Sequence, residues 1–217
     1  MARQAVSAIN RALDIAELCR KHGVRLRGVV HVGAHEGEEL PAYESAGAEM
    51  IVLIEANPAV YARLAEAVRG RKNVVTVNRA ICDRAGTAKL HLTWSDLGSS
   101  LLPMTRYREI YPQFSPSHSI EIDAATLDGV FEETNLDPAR FNVLNIDAQG
   151  AEALVLRGAD DILRHIEANA IEVYFSELYR DCAQIEQIDE TLESAGFRRA
   201  ATLSSHSSWG DAFYIRR

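Results

Sequence analysis

The chain has 217 residues, 47% of them hydrophobic and 25% charged, and a formal net charge of −8. That length fits one medium-sized α/β domain able to bury most of its apolar surface, and would crowd a second independent one. The negative balance disfavours a partner bound by neutralising many phosphates, so nucleic acid is not expected, and no stretch approaches the ~18 apolar residues of a membrane span.

Residues 3–22 place Ala5, Ile9, Leu13, Ala16 and Cys19 at steps of three and four, which predicts a helix there, within an N-terminal segment 1–27 packed by one apolar face on the domain that follows. The same face could serve a homodimer. This opening segment carries neither an apolar h-region nor a small-residue cleavage site, and the scattered Cys19, Cys82 and Cys182 form no CxxC pair, so reduced thiols in a cytoplasmic protein are expected. Gly23 ends the helix.

The domain proper, 28–217, begins with a strand at Gly28–Val32, the turn GAHEG and a helix to about Ala46, stopped by Gly47. The unit repeats with a strand at Met50–Glu55, a helix opened by Asn57-Pro58 and running to Val68, and a strand at Val74–Asn78. Strands alternating with helices imply right-handed crossovers and a parallel sheet. Residues 87–94 and 119–123 read as two antiparallel strands of an insertion over about 87–123, and 95–117 between them as a lid or substrate loop. The parallel pattern resumes at Phe141–Asp147, with a helix or helix pair to Ile166 and a strand at Ala170–Phe175. A helix from about Ile185 to Ala195, a strand near Arg199–Leu203, the turn SSHSSWG and a last strand at Ala212–Arg216 complete the chain.

In an open parallel sheet, ligands sit beyond the carboxyl ends of the strands, and the first strand-to-helix turn is where a glycine-rich backbone can approach them. That turn, Gly33-Ala34-His35-Glu36-Gly37, lacks the GxGxxG of dinucleotide folds, and Glu36, Glu38 and Glu39 stand where a pyrophosphate would want positive charge. The second strand ends in Glu55, a carboxylate able to accept both hydrogen bonds from a ribose diol. Together these favour an adenosyl ligand without phosphate and disfavour an NAD-dependent oxidoreductase.

The segments VVHVGAHEG, IVLIEANP, NRAICDRAG, LGSSLLP, FNVLNIDAQGAEALVLRGA and IEVYFSELY resemble those of the FkbM-type S-adenosylmethionine-dependent methyltransferases over roughly residues 28–197. The resemblance implies a class I methyltransferase (Rossmann-like) α/β fold: a mostly parallel seven-stranded sheet flanked by helices, with a late antiparallel strand. It implies that Gly33, Ala34 and Gly37 contact the methionine part of S-adenosyl-L-methionine, Glu55 the ribose, and Ala80 and Ile81 the adenine, with His35, Ala56 and Asp147 also at the cofactor. His31 stands where the family usually carries an acid, and His35 where Asn is common.

Methyl transfer from a sulfonium is an in-line displacement, so an enzyme must align the reacting atoms and remove the proton from an acceptor hydroxyl. Asp147 closes a parallel strand beside the cofactor's reactive end, with Gln149 and Glu152 following. It reads either as a helix N-cap or as an active-site carboxylate, and the NIDAQGAE resemblance favours the latter. Asp147 with Glu172 or Glu177 could alternatively hold Mg²⁺, a hard cation. His206 in SSHSSWG and His118 beside the lid are candidate bases, or else loop histidines; His22, His91 and His165 read as surface residues. Trp209, Ser99, Ser100 and Tyr107, with Tyr111, would suit a polyhydroxylated acceptor, or else form a polar loop with aromatic anchors. The expected activity is O-methylation of a sugar, saccharide or related small natural product, with a non-catalytic adenosyl-binding protein as the alternative from another class.

Overall fold

The computed structural model describes residues 13–106, 109 and 116–217. Asp14 has non-helical backbone angles, and its side chain accepts the Glu17 N–H, so it caps α1 (Ile15–Lys21). Ala5 and Ile9 lie outside the described residues. Ile15 and Cys19 are buried on α1, in a layer shared with Val29, Ile51 and Phe213 of the central sheet. His22, expected at the surface, is half-buried and stacks on Phe213 with ring centroids 6.2 Å apart.

The strand β1 (Gly28–Val32) is buried along its whole length, as a central parallel strand covered on both faces must be. A short helix α2 (Leu40–Ser45) leads to β2 (Met50–Ile54), and Asn57 then caps α3 (Pro58–Ala67) by accepting the Ala59 N–H before β3 (Val74–Val77). Glu55 and Asn78 fall just past their strands, at the open carboxyl edge. A separate small sheet follows, made of β4 (Ala80–Ile81), β5 (Gly86–Thr93) and β6 (Pro116–Ala125) in the order β4-β6-β5. Its β5–β6 pair is antiparallel, as expected; the parallel β4 beside β6 is an addition. Thr126 caps a further helix not foreseen from the sequence, α4 (Leu127–Thr134), by accepting the Gly129 N–H.

The main sheet continues with β7 (Val143–Ile146), α5 (Glu152–Arg157), α6 (Asp160–Leu163), β8 (Ala168–Tyr174), α7 (Ile185–Ser194), β9 (Phe197–Ser204) and β10 (Trp209–Arg216). Its strand order is β3-β2-β1-β7-β8-β10-β9. Strands β1, β2, β3, β7 and β8 pair in parallel, whereas β10 is antiparallel to both β8 and β9, so β9 runs along with β8. This is the architecture the resemblance implies, and the β9–β10 turn lands on the carboxyl edge.

Side chains alternate between two apolar layers, one built on Val30, Leu144, Ile171 and Tyr214, the other on Val29, Val143, Ala170 and Phe213. Each fully buried Val, Leu, Ile or Phe contributes roughly 1.5–3 kcal/mol relative to exposure. Asn142 fastens the entry to β1: its Oδ1 accepts Arg27 and Gly28 N–H groups, and its Nδ2 donates to the Arg25 carbonyl at 2.8 Å. No helix among the described residues is long and apolar enough to cross a membrane.

Candidate active site

Gly33 has φ +82°, and a Cβ there would stand 1.8 Å from the Asp147 carbonyl oxygen. Only glycine lets the first turn lie directly against the end of β7. The N–H groups of Gly33 and Ala34 both donate to the Ile54 carbonyl, fixing the turn to β2 as well, so three strand ends meet here. Gly37, at φ +83°, closes the turn under Leu64.

Glu55 completes this junction. Its Oε2 accepts the His35 N–H at 3.0 Å and its Oε1 the Asn57 N–H at 2.7 Å, leaving each oxygen a further lone pair. Burial pushes its carboxyl pKa upward against those two donors. His35 is held at Nδ1 by Glu38 at 2.8 Å. Burial opposes the charged imidazole, but the Glu38 hydrogen bond and the fields of Glu38, Glu55 and Glu36 outweigh it, so the His35 pKa is raised. His35 Nε2 is buried without a protein partner.

These residues open on a cleft at the carboxyl edge of the sheet. Gly33, His35, Glu55, Ala56, Ala80, Ile81 and Asp147, all expected at the cofactor, line it together; Ala34 is fully buried and it and Gly37 support from behind. Ile54, Leu90 and Leu101 add apolar wall. The lid closes one side through Asp96, Leu97, Ser99 and Ser100. Arg63 of α3 ties that lid down, donating from Nε to Glu36 at 2.6 Å and from Nη2 to Asp96 at 2.9 Å. Ser100 is buried and its Oγ accepts the Leu102 N–H, while Ser99 Oγ accepts the Thr93 N–H, so both hydroxyls, expected at the acceptor, already shape the lid. Tyr107 and Tyr111 lie outside the described residues.

A polar row crosses the sheet at the same edge. Asp147 follows β7, Glu172 stands in β8, and Asp211 of β10 pairs directly with Glu172. Gln149, at φ +52°, donates its Nε2 to Asp147 Oδ1 at 2.6 Å and to Glu172 Oε2 at 3.0 Å; the Tyr174 hydroxyl also donates to Glu172 Oε2. Desolvation raises the pKa of every acid in the row. Asp147, exposed on the cleft, is raised by desolvation from the groups packed around it; Glu172 is raised well above the ordinary range by burial and by Asp147 and Glu152; Asp211 is pushed up to about 7 by burial and by Asp147 and Glu39. On the same face His31 is buried and lowered to about 4 by that burial, hence neutral, with its Nδ1 3.3 Å from the Tyr43 hydroxyl. Glu152 is a support: its buried Oε1 accepts the N–H groups of Ala148 and Gly150.

The remaining expected site residues lie elsewhere. His118 is exposed on β6 beside Ser117, and His206 sits in the β9–β10 turn, its Nδ1 accepting the Ser208 N–H; neither lines the cleft. Trp209 is buried among Tyr174, Leu178, Tyr179 and Cys182, so it cannot form an open sugar platform. Glu177 is exposed and accepts the Asp181 N–H, while Glu172 is already engaged by two donors. The set Asp147, Glu172 and Glu177 therefore does not fit Mg²⁺, and no group of three or more candidate metal ligands occurs among the described residues. Asp211, Tyr179 and Arg63 were missed; their only sequence signals are an acid opening the last strand, a Tyr after FSEL and an Arg on the third helix.

The family model for the methyltransferase FkbM domain matches residues 31–199. No curated protein matches the sequence. Among solved structures, magnesium protoporphyrin IX methyltransferase (ChlM) from Synechocystis PCC 6803, with bound SAM, is similar at 9% identity and a TM-score of 0.52, over 94% of this chain and 77% of that one. The 1,6-didemethyltoxoflavin-N1-methyltransferase of Burkholderia thailandensis is similar at 14% identity and a TM-score of 0.50, over 96% and 78%. Sp1610 of Streptococcus pneumoniae, a candidate tRNA (m1A22) methyltransferase in complex with S-adenosyl-L-methionine, is similar at 12% identity and a TM-score of 0.52, over 94% and 73%. Such distant likeness establishes the shared fold, which hosts unrelated acceptors.

Proposed function

The chain belongs to the FkbM methyltransferase family, and from that premise we propose that it moves the methyl group of S-adenosyl-L-methionine to a hydroxyl oxygen of a small polyhydroxylated acceptor, a sugar, saccharide or related natural product. One observation carries this reading: Glu55 and Asp147, at the ends of two strands flanking β1, line one cleft.

The donor set suits the cofactor. Glu55 keeps lone pairs for a ribose diol, Ala80, Ile81, Leu90 and Leu101 offer an apolar slot for a flat base, and the unpartnered His35 Nε2 can meet a polar group on the methionine side. When bound, S-adenosyl-L-methionine supplies an electrophilic methyl on a positively charged sulfur, which the surrounding carboxylates favour. Asp147, exposed on the cleft, receives the acceptor's proton, while Gln149 holds its Oδ1. Asp147 is preferred to His118 and His206 because it alone of the three lines the cleft. The acidic row also favours an acceptor that presents hydrogen-bond donors and disfavours polyanions such as nucleic acid.

The test is calorimetric binding of S-adenosylhomocysteine, followed by incubation with isotope-labelled S-adenosyl-L-methionine and a panel of hydroxylated acceptors read by mass spectrometry. Label in an O-methyl product is expected. Tight binding with no product across the panel supports a non-catalytic adenosyl binder instead, and label found only on nitrogen overturns the oxygen assignment.

A further inference from the structure

Tyr179 is fully buried in the segment after β8, and its hydroxyl lies 2.9 Å from Gln149 Oε1 and 3.3 Å from the Gly98 carbonyl of the lid. An amide can offer both N–H bonds to two carboxyl groups only if its oxygen points away from them, and that buried oxygen then needs a donor. The Tyr179 hydroxyl is that donor. Gly150 has φ +96°, and a Cβ there would stand 2.9 Å from the Tyr179 ring, so glycine at 150 is what lets the ring lie against the β7–α5 turn. On its other side the lid is stitched to the same segment: Thr105 N–H donates to the Leu178 carbonyl at 2.9 Å and Arg180 N–H to the Pro103 carbonyl at 2.8 Å.

We propose that Tyr179 is a positioning residue: its hydroxyl donates its one proton to the Gln149 amide oxygen, the nearer of its two acceptors, and so fixes the amide with the nitrogen toward Asp147 and Glu172. This role rests on the reading above, in which Asp147 receives the acceptor's proton. Asp147 is faced by His35 from the β1 turn, and by His31 of β1 when protonated, which favour its charge, and by Glu39, which opposes it; Glu172 on β8 and Asp211 on β10 continue the row. The Gln149 hydrogen bond favours the charged form. Without the Tyr179 hydroxyl the amide is free to turn its oxygen onto the carboxyl groups, and Asp147 loses that support.

The test is a ¹³C carboxyl titration of Asp147 in the full chain, assigned through Asp147→Asn, for wild type, Tyr179→Phe, Gln149→Leu and the double variant. Phenylalanine keeps the ring on Gly150. The Asp147 midpoint should move upward in both single variants, and no further in the double variant than in Gln149→Leu alone. An unmoved midpoint in Tyr179→Phe, or a double-variant shift equal to the sum of the singles, overturns the proposal. If Tyr179→Phe does not fold, Gln149→Leu carries the test, and a midpoint that stays put there overturns it. Calorimetry with S-adenosylhomocysteine on the same samples keeps the two readings apart: a wild type that does not bind it defeats the cofactor assignment and leaves the titration to decide Tyr179.

Discussion

Asp211 lies directly opposite Glu172 in the β10–β8 ladder, two acids facing each other across antiparallel strands at the edge of the candidate active site. Like charges so placed repel. Burial, with Asp147 and Glu39, raises the Asp211 pKa to about 7, so the folded state penalises its charged form. A pKa raised on folding gives stability that is present below the unfolded value and lost as pH rises through the folded one, here between about pH 4 and 7. Asp211→Asn should thus match wild type near pH 4 and exceed it at pH 8, by on the order of 2 kcal/mol in urea unfolding. A variant no more stable than wild type at pH 8 would contradict the buried-acid account.

Glu55 gathers the first turn and the start of α3 through the His35 and Asn57 N–H groups. Glu55→Ala removes both acceptors together with the carboxylate proposed for the ribose. S-adenosylhomocysteine affinity should fall by about 10- to 100-fold, the scale of one or two charge-assisted hydrogen bonds. Unchanged affinity in calorimetry would remove Glu55 from the cofactor site.

Asp147 carries the opposite expectation. Asp147→Ala leaves Glu55 and the apolar slot in place, so S-adenosylhomocysteine should bind within a few-fold of wild type. The turnover number should drop by about 10²–10⁴, the usual contribution of a positioned proton acceptor. Full turnover by the variant, measured with any acceptor methylated by wild type, would end the assignment.

The strand alternation, the GAHEG turn and Glu55 were legible because each is a local pattern whose place in a parallel sheet is dictated by topology. Asp211 and Tyr179 were not legible. They reach the site through antiparallel register and through a loop that doubles back onto the lid, and no local period encodes such pairings. The surroundings of Ser100, which lines the cleft, and of Trp209 were illegible for a related reason. A hydroxyl or an indole suggests a ligand until burial reveals that Ser100 serves Leu102 and Trp209 packs on Tyr174. The helix α4 escaped notice because it is short and carries Gly129, although Thr126 before it was a readable cap.

Gly33→Ala tests the junction of three strand ends. The added methyl would meet the Asp147 carbonyl at 1.8 Å, and φ +82° is unfavourable for any side chain. Neither backbone can yield alone, since Gly33 N–H is bonded to Ile54 and Asp147 N–H to Val32. A loss of about 3 kcal/mol or more is expected in denaturant unfolding. A loss below about 1 kcal/mol would mean that the turn has room the geometry denies.

Glu152 separates acceptor geometry from charge. Its Oε1 accepts the Ala148 and Gly150 N–H groups, yet burial raises its carboxyl pKa to about 8, so the fold uses the oxygen and penalises the ion. Glu152→Gln keeps a carbonyl oxygen in reach of both donors, whereas Glu152→Ala strands two N–H groups away from water. Alanine should therefore cost about 2–4 kcal/mol. Glutamine should be near neutral at about pH 4 and gain on wild type as pH rises from about 4.5 to about 8, because the stability tied to the raised pKa is lost over that interval only in the glutamate protein. Urea unfolding of the three proteins at pH 4 and pH 9 decides it: if glutamine is as damaging as alanine at both pH values, the carboxylate charge, and not its oxygen, holds the β7–α5 turn beneath Asp147.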